Sequence, residues 1–265
     1  MKTTVIIIFS IIFVYLIIIS YMYLNQRKLM YLPSENNYLD DKISFEYEEI
    51  FIPVDEKINL RSWFIKKNPN NKTLLFFHGN AGNLSNRTYK LNEFAKLDLN
   101  ILIFAWRGFS GNDGEPSEFN LYNDSKRVIK WLNSKGIKNN SIVLYGESLG
   151  TGVAVELATS NIFNSVILES PFTSMTNAAK NFYPWLPIKY LIKDKYESEN
   201  KIGNVKIPIL ILHGQKDNIV PFSMGKKLFD LANEPKEFYS TEHDDHMMTF
   251  DAKLIEKIKI FISKH

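Results

Sequence analysis

The chain has 265 residues, of which 45% are hydrophobic, with 32 Lys and Arg against 29 Asp and Glu and no cysteine. This apolar fraction excludes wholesale disorder, and a net charge of +3 is too small to indicate a nucleic-acid-binding surface. The absence of cysteine excludes disulfides, a thiolate nucleophile and Cys-ligated metal sites.

The first predicted element is an apolar segment at residues 5–24, which only Ser10 and Ser20 interrupt. Twenty helical residues extend about 30 Å, the thickness of a bilayer hydrocarbon core. A cleaved signal peptide is the alternative, but the segment is long and bulky residues occupy the place of a cleavage site. We therefore expect residues 1–28 to form a transmembrane anchor. Weak positive charge on both sides leaves the side of the membrane open.

Residues 29–265 are predicted to form one domain in which strands alternate with helices. In chain order we predict strands 43–54, 60–65 and 73–77, helix 86–97, strand 100–105, helix 121–135, strand 141–145, helix 151–159, strands 165–168 and 207–212, helix 224–232, strand 236–239 and helix 250–263. Continuous apolar runs are typical of strands that helices cover on both faces. The sequence therefore predicts a mostly parallel sheet in a three-layer α/β domain.

The segment GESLG at 146–150 lies between a predicted strand and a predicted helix. It is a Gly-x-Ser-x-Gly motif in the strand–turn–helix context of a nucleophile elbow. The glycines permit a tight turn, so that the hydroxyl of Ser148 projects above the sheet at a helix N-terminus. An incidental glycine-rich turn is the alternative, but the context favours Ser148 as a nucleophile.

A serine hydroxyl needs a base, usually a histidine that a carboxylate orients. The chain order expected for this architecture is serine, acid, histidine. Asp217, after strand 207–212, is therefore the candidate acid, with a turn or capping role as its alternative. After strand 236–239 the chain offers His243 and His246, and we prefer His243 because it lies nearer the end of the strand.

The segment HDDH at 243–246 can also suggest a metal site. Two histidines with adjacent carboxylates and no third anchoring ligand are a weak signal, so no metal is expected.

The backbone N–H groups of an oxyanion hole are expected from Leu149 and from the loop HGNAGN at 78–83, through Asn80. A glycine-rich loop can instead hold phosphate, but the sequence has neither the phosphate-binding loop nor the dinucleotide motif. We therefore expect no cofactor.

Together these segments resemble the α/β-hydrolase superfamily. The segments that carry the resemblance are HGNAG at 78–82, WRGFSG at 106–111, GESLG at 146–150, SPFTS at 170–174, His213 and Gly214 with Asp217, and His243. The resemblance covers residue 31 to the C-terminus and is closest to single-pass, membrane-anchored serine hydrolases. These are similar to protein depalmitoylases, monoacylglycerol or lysophospholipid lipases and serine aminopeptidase-like enzymes.

The resemblance implies a triad of Ser148, Asp217 and His243, with Asn80 and Leu149 as oxyanion donors. The sequence departs from the family pattern at Trp106, where tyrosine is commoner, and at Asp244, where relatives often carry asparagine. Neither departure affects a triad position.

The strand–helix alternation stops between residues 172 and 205, and in the resembling family this insertion forms a small cap beside the active site. Phe182, Trp185 and Leu186 are candidate contacts with an acyl chain or a membrane. The alternative is that these side chains simply form the core of the insertion.

The sequence thus predicts a membrane-tethered serine hydrolase that cleaves esters or thioesters of acyl lipids or acyl-proteins through an acyl-enzyme. A tether raises the effective concentration of the enzyme toward lipid or acylated substrates, which are its expected partners. Two alternatives remain open: a serine aminopeptidase-like enzyme, in which Glu147 or Glu169 would hold the substrate amine, and a noncatalytic membrane scaffold. The oligomeric state is also open.

Overall fold

The computed structural model describes residues 2–34 and 43–265. The strands, in chain order, are β1 (Leu32–Pro33), β2 (Glu48–Pro53), β3 (Asn59–Ile65), β4 (Thr73–Phe77), β5 (Ala81–Gly82), β6 (Asn100–Phe104), β7 (Ile142–Glu147), β8 (Ser165–Glu169), β9 (Ile209–Gly214) and β10 (Lys236–Thr241). The helices are α1 (Lys2–Met30), α2 (Thr88–Phe94), α3 (Glu118–Ser134), α4 (Leu149–Ala158), α5 (Met175–Phe182), α6 (Ile188–Leu191), α7 (Phe222–Leu231) and α8 (Ala252–Lys264).

Each strand and helix predicted from periodicity is present. The ends shift by at most three residues, except that the strand predicted from residue 43 begins at Glu48. Two kinds of element were not predicted. The short strands β1 and β5 pair with each other in parallel, and the helices α5 and α6 occupy the insertion. Strands of two residues and helices of one or two turns are too short to produce a periodic pattern.

The central sheet of the described residues has eight strands in the order β10-β9-β8-β7-β4-β6-β3-β2. Neighbours from β10 to β6 run parallel, whereas β3 pairs antiparallel with both β6 and β2. Every residue of β4, β6, β7, β8 and β9 is buried, as expected for strands covered on both faces. The prediction of a mostly parallel sheet in an α/β domain is therefore confirmed.

Side-chain caps explain where several helices begin. Ser117 Oγ accepts the N–H of Asn120 at the start of α3, and Ser174 Oγ does the same for Asn177 at the start of α5. Asp251 caps α8 through the N–H of Leu254. Each cap satisfies a backbone donor that has no partner within its own helix.

The first helix, α1, has the length and composition of a membrane span. Its most apolar window of 18 residues has a mean hydropathy of 2.9, and none of the residues in that window is buried. The helix continues past the predicted boundary at residue 28, so the division of the chain into an anchor and a catalytic domain stays a prediction.

The second half of α1 lies against the insertion between β8 and β9, which we call the cap (residues 172–205). The Tyr15 hydroxyl donates to the carbonyl of Trp185 at 2.9 Å. Arg27 donates two hydrogen bonds to the carboxylate of Asp194, at 2.9 and 3.2 Å. The helix therefore contacts the rest of the protein over several turns.

Candidate active site

The loops that follow β4, β7, β9 and β10 meet at the carboxyl edge of the parallel sheet, where ligands bind in open α/β folds. Asn80 follows β4, Ser148 follows β7, and Asp217 follows β9. His246 lies in the loop after β10. The topology thus brings the sequence-predicted serine and acid to the same place as the loop that carries both histidine candidates.

Ser148 occupies a strained turn between β7 and α4. Its φ of 49° is positive, which non-glycine residues rarely adopt. The turn needs glycine at position 150, because a Cβ there would lie 2.0 Å from the carbonyl oxygen of Phe77. The structure therefore has the geometry of a nucleophile elbow, with the serine side chain at the N-terminus of a helix.

His246 bridges the serine and the acid. Its Nε2 lies 3.0 Å from Ser148 Oγ, and its Nδ1 lies 2.8 Å from Asp217 Oδ2. Because the carboxylate accepts, Nδ1 carries a proton and Nε2 is left to accept the proton of the serine hydroxyl. The three side chains therefore form a hydrogen-bonded chain of the kind that can activate a serine.

The preference for His243 is wrong as a matter of geometry, because His246 is the histidine between Ser148 and Asp217. β10 continues to Thr241, and His243 is exposed just beyond it. The loop then turns at Asp244, whose carbonyl accepts the N–H of Lys216 at 3.0 Å. This turn brings the chain back toward the elbow only at His246, so distance along the sequence from the strand was a misleading criterion.

Asp244, one of the two positions at which the sequence departs from the family pattern, has a structural role in this turn. Its carboxylate accepts hydrogen bonds from the hydroxyls of Thr241 and Thr249, at 2.6 and 2.7 Å. Asp244 thus holds closed the loop after β10 that carries His246, which we call the histidine loop.

Within residues 2–34 and 43–265, no group of three or more His, Asp or Glu side chains is arranged to hold a metal ion.

Asp217 is stabilised as a carboxylate by two histidines. His213 Nε2 lies 3.2 Å from the same oxygen that His246 contacts. Burial opposes ionisation of Asp217, but the hydrogen bonds from His213 and His246 outweigh it and hold the pKa of this carboxyl well below its usual range. Sequence analysis assigned His213 no role, although its position before Gly214 and Asp217 was noted.

The predicted oxyanion donors also lie at the serine. Leu149 is the first residue of α4, so its N–H has no acceptor within the helix, and both Asn80 and Leu149 line the cavity at Ser148. The side chain of Asn80 donates to the carbonyl of Met30 at 2.7 Å, and its carbonyl accepts the N–H of Leu32 at 2.8 Å. The end of α1 is therefore hydrogen-bonded to the loop that carries Asn80.

Comparison with known proteins identifies the family of this chain. Residues 118–262 match the profile of the prolyl oligopeptidase family, and residues 3–168 match that of the Chlamydia CHLPS protein (DUF818). Protein bem46 from Schizosaccharomyces pombe is 32% identical, over 87% of this chain and 84% of that protein. Alpha/beta hydrolase domain-containing protein 17B from Homo sapiens is also 32% identical, over 76% of this chain and 70% of that protein. The chain belongs to the α/β-hydrolase superfamily.

A solved structure supports the fold of this α/β hydrolase. The esterase Pf2001 from Pyrococcus furiosus superposes with a TM-score of 0.71, covering 88% of this chain and 98% of that one at 18% identity. The sequence relatives confirm the α/β-hydrolase resemblance, and this superposition confirms the fold; hydrolase is the activity class that the family supports.

Trp106, the other departure from the family pattern, is buried beside the loop at 78–83, which we call the oxyanion loop after its predicted role. Its indole N–H donates to the carbonyl of His78 at 3.0 Å, and its backbone N–H donates to His78 Nε2 at 3.2 Å. His78 Nδ1 in turn lies 2.8 Å from the carbonyl of Gly79. Trp106 therefore positions the first residue of the loop that leads to Asn80.

A cavity of about 380 Å³ opens at Ser148, a size within the range of ligand sites. Its lining is mostly apolar and comes from α1, the cap and the loop after β9. Among the described residues that line it, none is acidic or basic. Such a cavity suits an apolar substrate group attached to a carbonyl at Ser148.

Proposed function

We propose that this protein is a membrane-anchored serine hydrolase that cleaves carboxylic ester or thioester bonds of acyl lipids or acyl-proteins. The observation that carries the proposal is the hydrogen-bonded chain from Ser148 through His246 to Asp217, at 3.0 and 2.8 Å. The apolar cavity at the serine supports an acyl substrate, and the apolar helix α1 supports a membrane location.

The reaction follows from the position of each group. Ser148 Oγ attacks the carbonyl carbon while His246 Nε2 takes the hydroxyl proton, and Asp217 stabilises the resulting imidazolium. The N–H groups of Asn80 and Leu149 stabilise the oxyanion.

His246 then gives its proton to the leaving alcohol or thiol, which leaves Ser148 acylated. Water, deprotonated by His246, attacks the acyl-enzyme, releases the carboxylic acid and restores the serine.

A peptidase is the second candidate, because residues 118–262 match the prolyl oligopeptidase family. An aminopeptidase would need a carboxylate that faces the cavity to hold the substrate amine. Glu147 and Glu169 are buried and paired with Lys90, so neither is available for that role. The contacts of these two residues favour an esterase or thioesterase over an aminopeptidase.

The direct test is labelling of the purified full-length protein with a fluorophosphonate, which reacts with an activated serine. We expect wild type to label, Ser148→Ala to give no labelling, and His246→Ala to label at least about 100-fold more slowly because the base is lost. His243→Ala is the matched control and should label at the wild-type rate.

Equal labelling of wild type and Ser148→Ala would remove Ser148 as the nucleophile, and no labelling of either would favour a noncatalytic scaffold. A loss caused by His243→Ala rather than His246→Ala would overturn the assignment of the base. Hydrolysis of a p-nitrophenyl ester and of an acyl thioester, compared with release from an aminoacyl-amide chromophore, separates esterase and thioesterase from peptidase.

A further inference from the structure

One wall of the cavity at Ser148 is formed by the second half of α1. The residues of this wall are Met22, Tyr23, Gln26, Leu29 and Met30, and their spacing places them on one face of the helix. The facing wall comes from the cap, mainly from α5, α6 and the turn between them. The apolar helix is therefore part of the binding site as well as a tether.

Polar contacts hold α1 against the cap at the level of this wall. The side-chain amide of Gln26 donates to the carbonyl of Leu191 at 3.1 Å and accepts the N–H of Lys193 at 2.7 Å. The ammonium of Lys193 lies 4.3 Å from the ring centre of Tyr23. Together with the pair between Arg27 and Asp194, these contacts fix the height of the cap along the helix.

The position of the cap along α1 determines how deep the cap lies in a bilayer. A span needs at least about 17 residues, so the shortest one after the charge of Lys2 ends near residue 19, and the longest apolar run ends at Leu24. Tyr15 lies inside either span, about 6 to 14 Å from its end at 1.5 Å per residue. Because Tyr15 contacts Trp185 through a hydrogen bond and a ring contact at 6.2 Å, the tip of the cap lies at the same depth.

The exposed surface of the cap is apolar, as a position inside the leaflet requires. Phe182 and Trp185 are each 51% exposed and Tyr190 is 82% exposed, an unusual concentration of apolar surface for a face in contact with water. The exposed lysines of the cap helices, Lys180 and Lys189, have side chains long enough to extend their ammonium groups toward lipid headgroups.

We propose that the tip of the cap enters the membrane leaflet and that the cavity between α1 and the cap receives the acyl chain of the substrate directly from that leaflet. This inference rests on the proposed hydrolase function and specifies its substrate class. The substrate is a long-chain acyl ester or thioester whose chain stays in apolar surroundings while its carbonyl reaches Ser148.

The first test fills the α1 wall of the cavity. Full-length protein in phosphatidylcholine nanodiscs is assayed with p-nitrophenyl esters from acetate to palmitate, and kcat/KM is compared across chain lengths. We expect Met22→Trp to lower the ratio of palmitate to acetate hydrolysis at least about tenfold, because the indole occupies space that the chain needs. Leu24→Trp, on an exposed part of the same helix, is the matched control and should keep the wild-type ratio.

The second test measures depth and does not depend on activity. Tryptophan fluorescence is recorded in nanodiscs that contain phosphatidylcholine brominated in the acyl chain, which quenches indoles within the leaflet. We expect quenching in the wild type and its loss in Trp185→Phe. Trp131→Phe, on α3, is the control and should retain it.

The experiments distinguish an error in this inference from an error in the proposed function. If Ser148 labels with fluorophosphonate but Met22→Trp keeps the wild-type chain-length ratio, the protein is a serine hydrolase whose acyl chain does not use the α1 wall. If quenching is absent, or is unchanged in Trp185→Phe, the cap lies outside the leaflet. If Ser148 does not label, the proposed hydrolase function is wrong, and the quenching measurement still shows whether the cap lies in the leaflet.

Discussion

Glu147, the residue before the proposed nucleophile, connects the elbow to the oxyanion loop. Its carboxylate accepts the N–H of Gly79 at 3.2 Å and lies 2.7 Å from both Arg87 and Lys90. Lys90 is fully buried and also pairs with Glu169. Burial opposes the charges on both Glu147 and Lys90, but opposite charges outweigh it. Arg87 and Lys90 hold the pKa of Glu147 well below its usual range, and Glu147 and Glu169 hold the pKa of Lys90 above its own.

Glu147→Gln should therefore destabilise the protein. The amide can still accept from Gly79, but it leaves two buried cations without one of their carboxylates, and breaking a buried pair costs about 3 to 5 kcal/mol. For a domain of this size we expect Tm in detergent to fall by about 6 °C or more, measured by circular dichroism.

Glu156→Gln is the matched control for this prediction. Glu156 pairs with Lys201 at a partly exposed site, where an ion pair contributes about 1 kcal/mol or less, so its Tm should change little. An unchanged Tm for Glu147→Gln would show that the cluster does not need this charge.

At the scale of elements, the loop after β10 depends on the end of β9. A Cβ at Gly214 would lie 2.4 Å from the carbonyl oxygen of Asp245 and 2.5 Å from that of Asp244. The histidine loop therefore packs directly on the backbone of β9. This close approach fixes where His246 lies relative to Ser148.

Gly214→Ala should displace this loop and move His246 away from the serine. A misplacement of about 1 Å in a catalytic group costs on the order of 100-fold in rate, so we expect fluorophosphonate labelling to slow by at least that factor. Gly203→Ala is the control, because the added Cβ would meet the carbonyl oxygen of Leu231 at an ordinary 3.7 Å. Labelling of Gly214→Ala at the wild-type rate would mean that the loop can adjust without moving the histidine.

The elements that carry chemistry were predictable to different degrees. The strands, the elbow and the position of Asp217 follow from apolar runs and from one motif, because these features are local in the chain. His246 could not be distinguished from His243 in this way, since the choice depends on a turn held by Lys216, Gly214 and two threonine hydroxyls. The contacts of Lys216 and Gly214 join segments far apart in the sequence, and the threonine contacts form only once the loop has turned, so no periodicity reports either kind.

At the scale of the whole molecule, the packing of α1 against the cap could not be predicted from the sequence either. Hydropathy predicted a membrane span but did not indicate which face of the helix packs against the protein. Two interpretations were open for three apolar side chains of the cap: Phe182, Trp185 and Leu186. Leu186 is buried in the wall of the cavity at Ser148, whereas Phe182 and Trp185 are half exposed. Helix, cap and oxyanion loop form a continuous contact from Tyr15 to Asn80.

Global stability should fall in mild acid because of His78, which lies between β4 and the oxyanion loop. Burial lowers the pKa of His78 to about 3, so the folded protein keeps this ring neutral. The unfolded chain, with an ordinary histidine pKa of about 6.5, binds a proton there as the pH falls. Because the unfolded state binds more protons, His78 reduces the free energy of unfolding below pH 6.5, by about 2 kcal/mol at pH 5.

The measurement is Tm in detergent at intervals between pH 7.5 and 5. We expect wild type to lose about 4 to 8 °C to this one group. His78→Gln, which cannot titrate, should start from a lower Tm at pH 7.5 because a buried packing residue has changed, yet depend less steeply on pH. Parallel curves for wild type and His78→Gln would mean that folding does not lower the pKa of His78. The difference between the two slopes isolates His78, because the two proteins differ in this one titratable group.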